Sequence, residues 1–149
     1  MGWDLLIAHP ECTYLTVANA GHIANGCSLY TEEEARHRQD VAAEFFMKMI
    51  EAPVNKIAVE NPVGVMSRRY RKPDQIIQPW QFGEDASKKT CLWLKNLPLL
   101  IPSKIIIKER YENQCSNGQN RLGPSSNRSE LRATTYRGIA EAMANQWGK

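Results

Sequence analysis

Between residues 3 and 62, two short apolar runs bracket one long helical pattern, and that order leaves little choice of fold. The segment from Trp3 to Ala8 is a short apolar run closed by His9-Pro10, which suits a strand buried in a parallel sheet. Thr31-Glu32-Glu33-Glu34 then reads as a capping box, with Thr31 as N-cap and Glu34 reaching back from the third helical position. Acidic residues in that first turn also suit the positive end of the helix dipole. Behind it Val41, Ala42, Phe45, Phe46, Met49 and Ile50 recur at helical spacing and are expected to share one buried face. Pro53 stops the helix, and Lys56-Ile57-Ala58-Val59 opens a second apolar strand running to Glu60-Asn61-Pro62. Strand, helix and strand in this order make a right-handed crossover unit, whose sites form at the carboxyl ends of the strands. Cys12 and Glu60 both fall there.

The second half is less regular. Ile76 to Trp80 and Thr90 to Leu94 read as strands separated by the turn-like Gly83-Glu84-Asp85, and Ser103 to Lys108 carries the β-branched run Ile105-Ile106-Ile107. Residues 112–130 are polar and rich in Asn, Ser, Gly and Arg, as a long loop would be. Thr134 to Trp147 is expected to be a helix with Ile139, Met143 and Trp147 on one stripe. A single α/β domain spanning 1–149, with a mostly parallel sheet of four to six strands and flanking helices, is the expected architecture.

Charge is divided unevenly along the chain. The net +3 hides a balance of −5 over residues 1–60 and +8 over residues 61–149. A basic second half is what a phosphate-facing surface needs, and equally what a solvated basic face looks like. The apolar run Leu5 to Ala8 is too short for a secretory leader or a membrane span. Four cysteines without such a leader read as thiols of a reducing compartment, so a cytoplasmic location without membrane partners is expected.

Three short motifs now line up with one chemistry. Asp4-Leu5-Leu6-Ile7-Ala8-His9-Pro10-Glu11-Cys12 resembles the strand and loop that carry a Pro-Pro-Cys nucleophile in DNA cytosine-C5 methyltransferases. Val59-Glu60-Asn61-Pro62 resembles their Glu-Asn-Val segment, and Gln81-Phe82-Gly83 with Ser87-Lys88-Lys89-Thr90 is similar to their Phe-Gly plus basic motif. The stretches Ile77 to Gly83, Lys89 to Lys95 and Thr135 to Ala144 look like a phage and prophage branch of that family. The resemblance covers nearly the whole chain and implies a partial Rossmann-like methyltransferase fold.

What it implies for the residues is specific. Cys12 would add as a thiolate to C6 of a flipped cytosine, and Glu60 would stabilise the adduct at N3. Asn61 would brace the cysteine loop, with Pro10, Pro62, Phe82 and Gly83 shaping the loops. Lys88, Lys89, Arg121 and Arg128 would contact nucleic acid. DNA is the implied partner and S-adenosylmethionine the implied methyl donor, acting in the host cytoplasm if the chain is phage-encoded.

Two departures lower the expected activity. Glu11 stands where the family has its second proline, and a carboxylate beside a thiol opposes thiolate formation. The family's cofactor-binding front also has no counterpart, and the scattered glycines do not form the Gly-x-Gly turn that cradles a nucleotide. A chain truncated at that side is expected to transfer methyl groups weakly or not at all alone. It would be completed by another copy or a partner chain, or act as a non-catalytic binder that sequesters a nucleotide or blocks a host defence factor. Other readings compete for the same residues. Cys12 can be a small buried hydrophobe, His9, Cys12, His22 and Cys27 have zinc-like spacing, and His22 is a conceivable base for a thiol hydrolase.

Overall fold

A computed structural model describes residues 2–26, 29–120 and 134–149. Its elements are β1 (Leu5–Ala8), α1 (Ala20–Asn25), α2 (Glu32–Ile50), β2 (Lys56–Pro62), α3 (Met66–Arg69), β3 (Gln75–Ile77), β4 (Thr90–Lys95) and α4 (Arg137–Trp147), with short 3-10 turns at Val17–Asn19 and Pro79–Gln81. The four strands form one sheet in the order β1-β2-β4-β3. The chain comprises two compact units, Met1–Ile76 with Thr90–Leu99, and Ile77–Lys89 with Leu100–Lys149. Among the described residues no helix is long and apolar enough to cross a membrane.

In the first unit β1 and β2 run parallel, from Leu5 opposite Lys56 to Ala8 opposite Val59. A parallel pair needs a long crossover, and α2 supplies it. Its start is the capping box read from the sequence. The Thr31 amide donates to Glu34 Oε2 at 2.7 Å and the Glu34 amide to Thr31 Oγ1 at 3.2 Å. The Thr31 amide, and to a smaller extent the Thr31 hydroxyl donating to the same Oε2 at 3.2 Å, hold the Glu34 carboxyl below its ordinary range.

The α/β class stands, with helices flanking a four-stranded sheet, but the sheet is mixed and not mostly parallel. On its other edge β2 meets β4 antiparallel, from Ile57 opposite Lys95 to Pro62 opposite Thr90. Alternation of apolar residues cannot distinguish the two directions when a strand is buried on both faces, as Thr90 to Trp93 are. The expected strand from Ile76 to Trp80 is cut short after Ile77. Pro79 sits at the start of a 3-10 turn, and the side chains of Gln78 and Gln81 cap each other's backbone. The run Ile105-Ile106-Ile107 forms no named strand. Lys104 makes an isolated parallel bridge to Phe82, and Ile105 and Ile107 stay exposed.

The buried face of α2 also differs from its expected stripe. Ala35, Gln39, Ala43 and Phe46 point inward, whereas Val41 and Phe45 are about half exposed. The helix carries apolar residues on more than one side, so a stripe drawn through Val41 and Phe45 is rotated from the true one. Phe46 is fully buried and meets Trp93 edge to face at 5.0 Å, within a core that includes Leu15, Ile57, Val59 and Met66. Trp93 satisfies its indole N–H by donating to the Arg71 carbonyl at 2.9 Å.

The second unit is organised around α4, whose Ile139, Ala142, Met143 and Trp147 are buried on the stripe expected from the sequence. Gly138 lets the helix start close to the chain, since a Cβ there would lie 1.9 Å from the Phe82 carbonyl oxygen. Glu84 accepts the Gly138 amide at 2.8 Å, and Gln146 exchanges two 2.8 Å bonds with the backbone of Ile101. Residues 112–120 are irregular, as expected of a loop, and positions 121–130 of the expected loop lie outside the described residues.

The register of α2 is directly testable. Phe46→Ala is expected to cost about 3–5 kcal/mol of folding stability. Phe45→Ser, which gives up only a half-exposed ring, should cost about 1–2 kcal/mol at most in urea titrations. Similar losses from both would show that the inward face is misassigned.

Candidate functional site

The cysteine loop begins where β1 and β2 part company. The parallel register ends at Ala8 and Val59, so His9 and Glu60 are the next two residues in line. Their side chains meet there, with His9 Nδ1 2.7 Å from Glu60 Oε2. A carboxylate only accepts hydrogen bonds, so the hydrogen sits on Nδ1. The Glu60 side chain is 15% exposed and that of His9 34%, so the pair lines the surface at the strand ends.

One residue on, β2 turns Asn61 inward. It is 2% exposed, and its Nδ2 donates to the Pro10 carbonyl at 3.0 Å. That bond ties the Glu-Asn-Pro segment to the loop two residues before Cys12. Buried amides need partners, and here the chain supplies one.

Beyond Cys12 the loop folds on itself. The Cys12 carbonyl accepts the amides of Leu15 and Thr16 at 3.0 and 2.9 Å, and Thr16 forms an antiparallel bridge with Gly64. The Val65 amide donates to the Leu15 carbonyl at 2.8 Å, and the Val17 amide to the Val63 carbonyl at 3.2 Å. Gly64 is required for this crossing, because a Cβ there would fall 1.9 Å from the Leu15 carbonyl oxygen. The Cys12 side chain itself is partly exposed.

Cys91, on β4 opposite Asn61, is a different kind of thiol. It is buried, and burial, with a smaller contribution from the Glu60 carboxylate, pushes it up to about 11. The sequence treats both cysteines alike as thiols of a reducing compartment. Burial separates them.

The remaining expected site residues lie elsewhere. Phe82, Gly83, Lys88 and Lys89 belong to the second unit, and Cys12, Glu60 and Asn61 to the first. Phe82 is buried, and Gly83 has φ 86°, a backbone that favours glycine. The Lys88 amide donates to Gln78 Oε1 at 2.9 Å, while Lys89 is exposed. Pro62 ends β2 opposite Thr90. Arg121 and Arg128 lie outside the described residues, as does Cys27 of the zinc-like spacing. Among the described residues no group of three or more His, Cys, Asp and Glu side chains is placed to hold a metal.

Three residues that sequence reasoning passed over prove central to the loop: Gly64, Asn19 and Gln39. Asn19 Nδ2 donates to the Thr13 carbonyl at 2.6 Å, and Gln39 Nε2 to the Tyr14 carbonyl at 2.9 Å. Gln39 had one readable signal, a polar residue in step with Ala35 and Ala43 on the inward face. A shallow groove of about 750 Å³ lies on another part of α2, lined by residues including Ala43, Met47, Met66 and Arg69 but not by Cys12 or Glu60. It is open and its lining holds no thiol or hydroxyl side chain, so the strand ends are the better candidate.

Compared with protein-family models, with curated proteins and with solved structures, the chain matches none.

Two measurements probe this geometry. Gly64→Ala should destabilise the fold by about 2–3 kcal/mol, because the clash is with backbone that cannot move aside. Folding stability should also fall as pH rises from about 9, where an unfolded thiol ionises, towards about 11, where buried Cys91 follows. The urea midpoint of Cys91→Ala should fall less over that window. An equal fall would place the loss at another group.

Proposed function

We propose that this chain is a base-attacking module of the DNA cytosine-C5 methyltransferase kind, with a partial Rossmann-like methyltransferase fold. Mixed sheets are common among large α/β folds, so a parallel β1–β2 pair carrying an antiparallel β4 is compatible with that lineage. The observation that carries the reading is the buried bond from Asn61 to the Pro10 carbonyl. It couples a nucleophile-bearing loop to a strand-end carboxylate, as an attack on one flipped base requires.

In this reading the Cys12 thiolate forms a bond to C6 of cytosine, and the C5–C6 electron pair moves toward C5. Glu60, protonated as the carboxylic acid, donates a hydrogen bond to N3 and so stabilises the negative charge that builds on the ring. Asn61 keeps the loop in place. Lys88 and Lys89, with Arg121 and Arg128, are assigned to the phosphate backbone on the strength of the basic second half.

S-adenosylmethionine would supply the methyl group for C5. No two described glycines stand at the Gly-x-Gly spacing that cradles a nucleotide, and Gly64 and Gly138 are each closed off by a chain carbonyl. The chemistry assigned to this chain therefore stops at the base adduct, and a partner chain or second copy is the proposed source of the remainder.

A second reading rests on the bond between His9 and Glu60. A carboxylate already engaged by an imidazole is partly withdrawn from N3, which suits a non-catalytic protein that binds DNA or a nucleotide.

The two readings separate on a duplex carrying 5-azacytosine at a single position. There the ring nitrogen makes C6 more electrophilic and takes up a solvent proton as the Sγ–C6 bond forms. The catalytic reading expects a denaturation-resistant adduct with the parent chain and none with Cys12→Ser. Glu60→Gln should slow its formation by about 100-fold. DNA binding without an adduct would favour the binder.

A further inference from the structure

We propose that Gln39 and Arg69, neither of which belongs to a motif of the cysteine loop, are positioning residues that set the reach of Cys12. This rests on Cys12 being the nucleophile of the proposed reaction, and it adds the residues that aim it.

The case begins with the loop carbonyls. Buried backbone acceptors must be satisfied, and a loop has no ladder to do so. Here the partners come from different elements, Asn61 of β2 for Pro10, Gln39 of α2 for Tyr14 and Val65 for Leu15, while Asn19 takes the exposed Thr13 carbonyl. Cys12 therefore sits between two side-chain amide clamps, two residues before it and two residues after it. The clamp at Pro10 belongs to the Glu-Asn-Pro segment. The clamp at Tyr14 comes from the crossover helix.

Gln39 is an unexpected occupant of its position. It is 9% exposed on the inward stripe of α2, where an apolar side chain would pack at no polar cost. Its amide is held in one sense. Arg69 Nη2 donates to Gln39 Oε1 at 3.1 Å, and its Nη1 donates to Asp40 Oδ1 at 2.6 Å. A guanidinium can only donate, so Oε1 must face Arg69 and Nε2 must face Tyr14. The amide is thus oriented by α3 and mounted on a helix pinned by its capping box and by Phe46. Side chains on such rigid elements position a reactive group better than a loop positions itself.

The test uses Gln39→Met and Gln39→Glu in the full chain. A carboxylate at position 39 keeps its bond to Arg69 but cannot donate to the Tyr14 carbonyl, so the two variants should behave alike. Two rates are measured: alkylation of Cys12 by iodoacetamide, with Cys115 as reference in the same molecule, and capture by the 5-azacytosine duplex. Loosening the loop should speed alkylation of Cys12 several-fold and leave Cys115 unchanged. Capture, which needs the thiol aimed, should slow by about tenfold or more. General loosening of the fold would also bare the thiol and slow capture, so the effect of the Gln39 variants must exceed that of a variant that only weakens the fold. Ala43→Gly is the control, because it weakens the same buried face of α2 without touching the loop. Matching changes in that control, or unchanged rates in both Gln39 variants, would overturn the proposal. If the Gln39 variants do not fold, Arg69→Met decides, with the same directions expected and unchanged rates overturning it. Absence of capture by the parent chain would sink the methyltransferase reading, and the alkylation rates would still decide whether Gln39 holds the thiol.

Discussion

A parallel strand pair cannot be closed by a tight turn, and the first unit of this protein depends on how that constraint is met. Its solution is α2, nineteen residues long, begun by a reciprocal cap and ended before Pro53. Because β1 and β2 then run the same way, their carboxyl ends open on the same edge. His9 and Glu60 become neighbours there without any special turn. The helix that makes the parallel pair possible also sends Gln39 back to the loop that leaves β1. One element serves both connection and support.

The antiparallel strand β4 closes the other side of β2 over Glu60, Asn61 and Pro62. This is why the Glu-Asn-Pro segment is still strand after β1 has ended. Strand geometry alternates side chains, so Asn61 goes inward to the Pro10 carbonyl while Glu60 lies at the surface with His9. The functional assignments therefore follow from the pleat as much as from residue chemistry.

How much of this could be read from the sequence depended on how local each signal was. The cap at Thr31, the stop at Pro53 and the stripe of α4 are encoded within a few residues, and all were legible. The direction of β4 and the inward face of α2 depend on distant partners, and those were misread. At the candidate site Cys12, Glu60 and Asn61 stood out because strong chemistry follows apolar runs. Gly64, Asn19 and Gln39 did not. Gly64 and Gln39 meet backbone carbonyls well removed in sequence, Asn19 meets one six residues back across an irregular turn, and no local pattern announces any of these partners. The family likeness carried by the short motifs remains a proposal, supported by geometry at the strand ends.

The extended stretch around Ile106 has a consequence of its own. The amides of Lys104 and Ile106 are taken by the carbonyls of Gln81 and Trp80, and alternating with them Ile105 and Ile107 form a short row of exposed isoleucines. Such a row is a template for adding strands from other molecules. It is also framed by Lys104 and Lys108, the latter paired with Asp85. Stacking identical copies in register would pile the Lys104 ammonium groups on one another, so that charge acts as a brake on amyloid-like growth that weakens as salt rises.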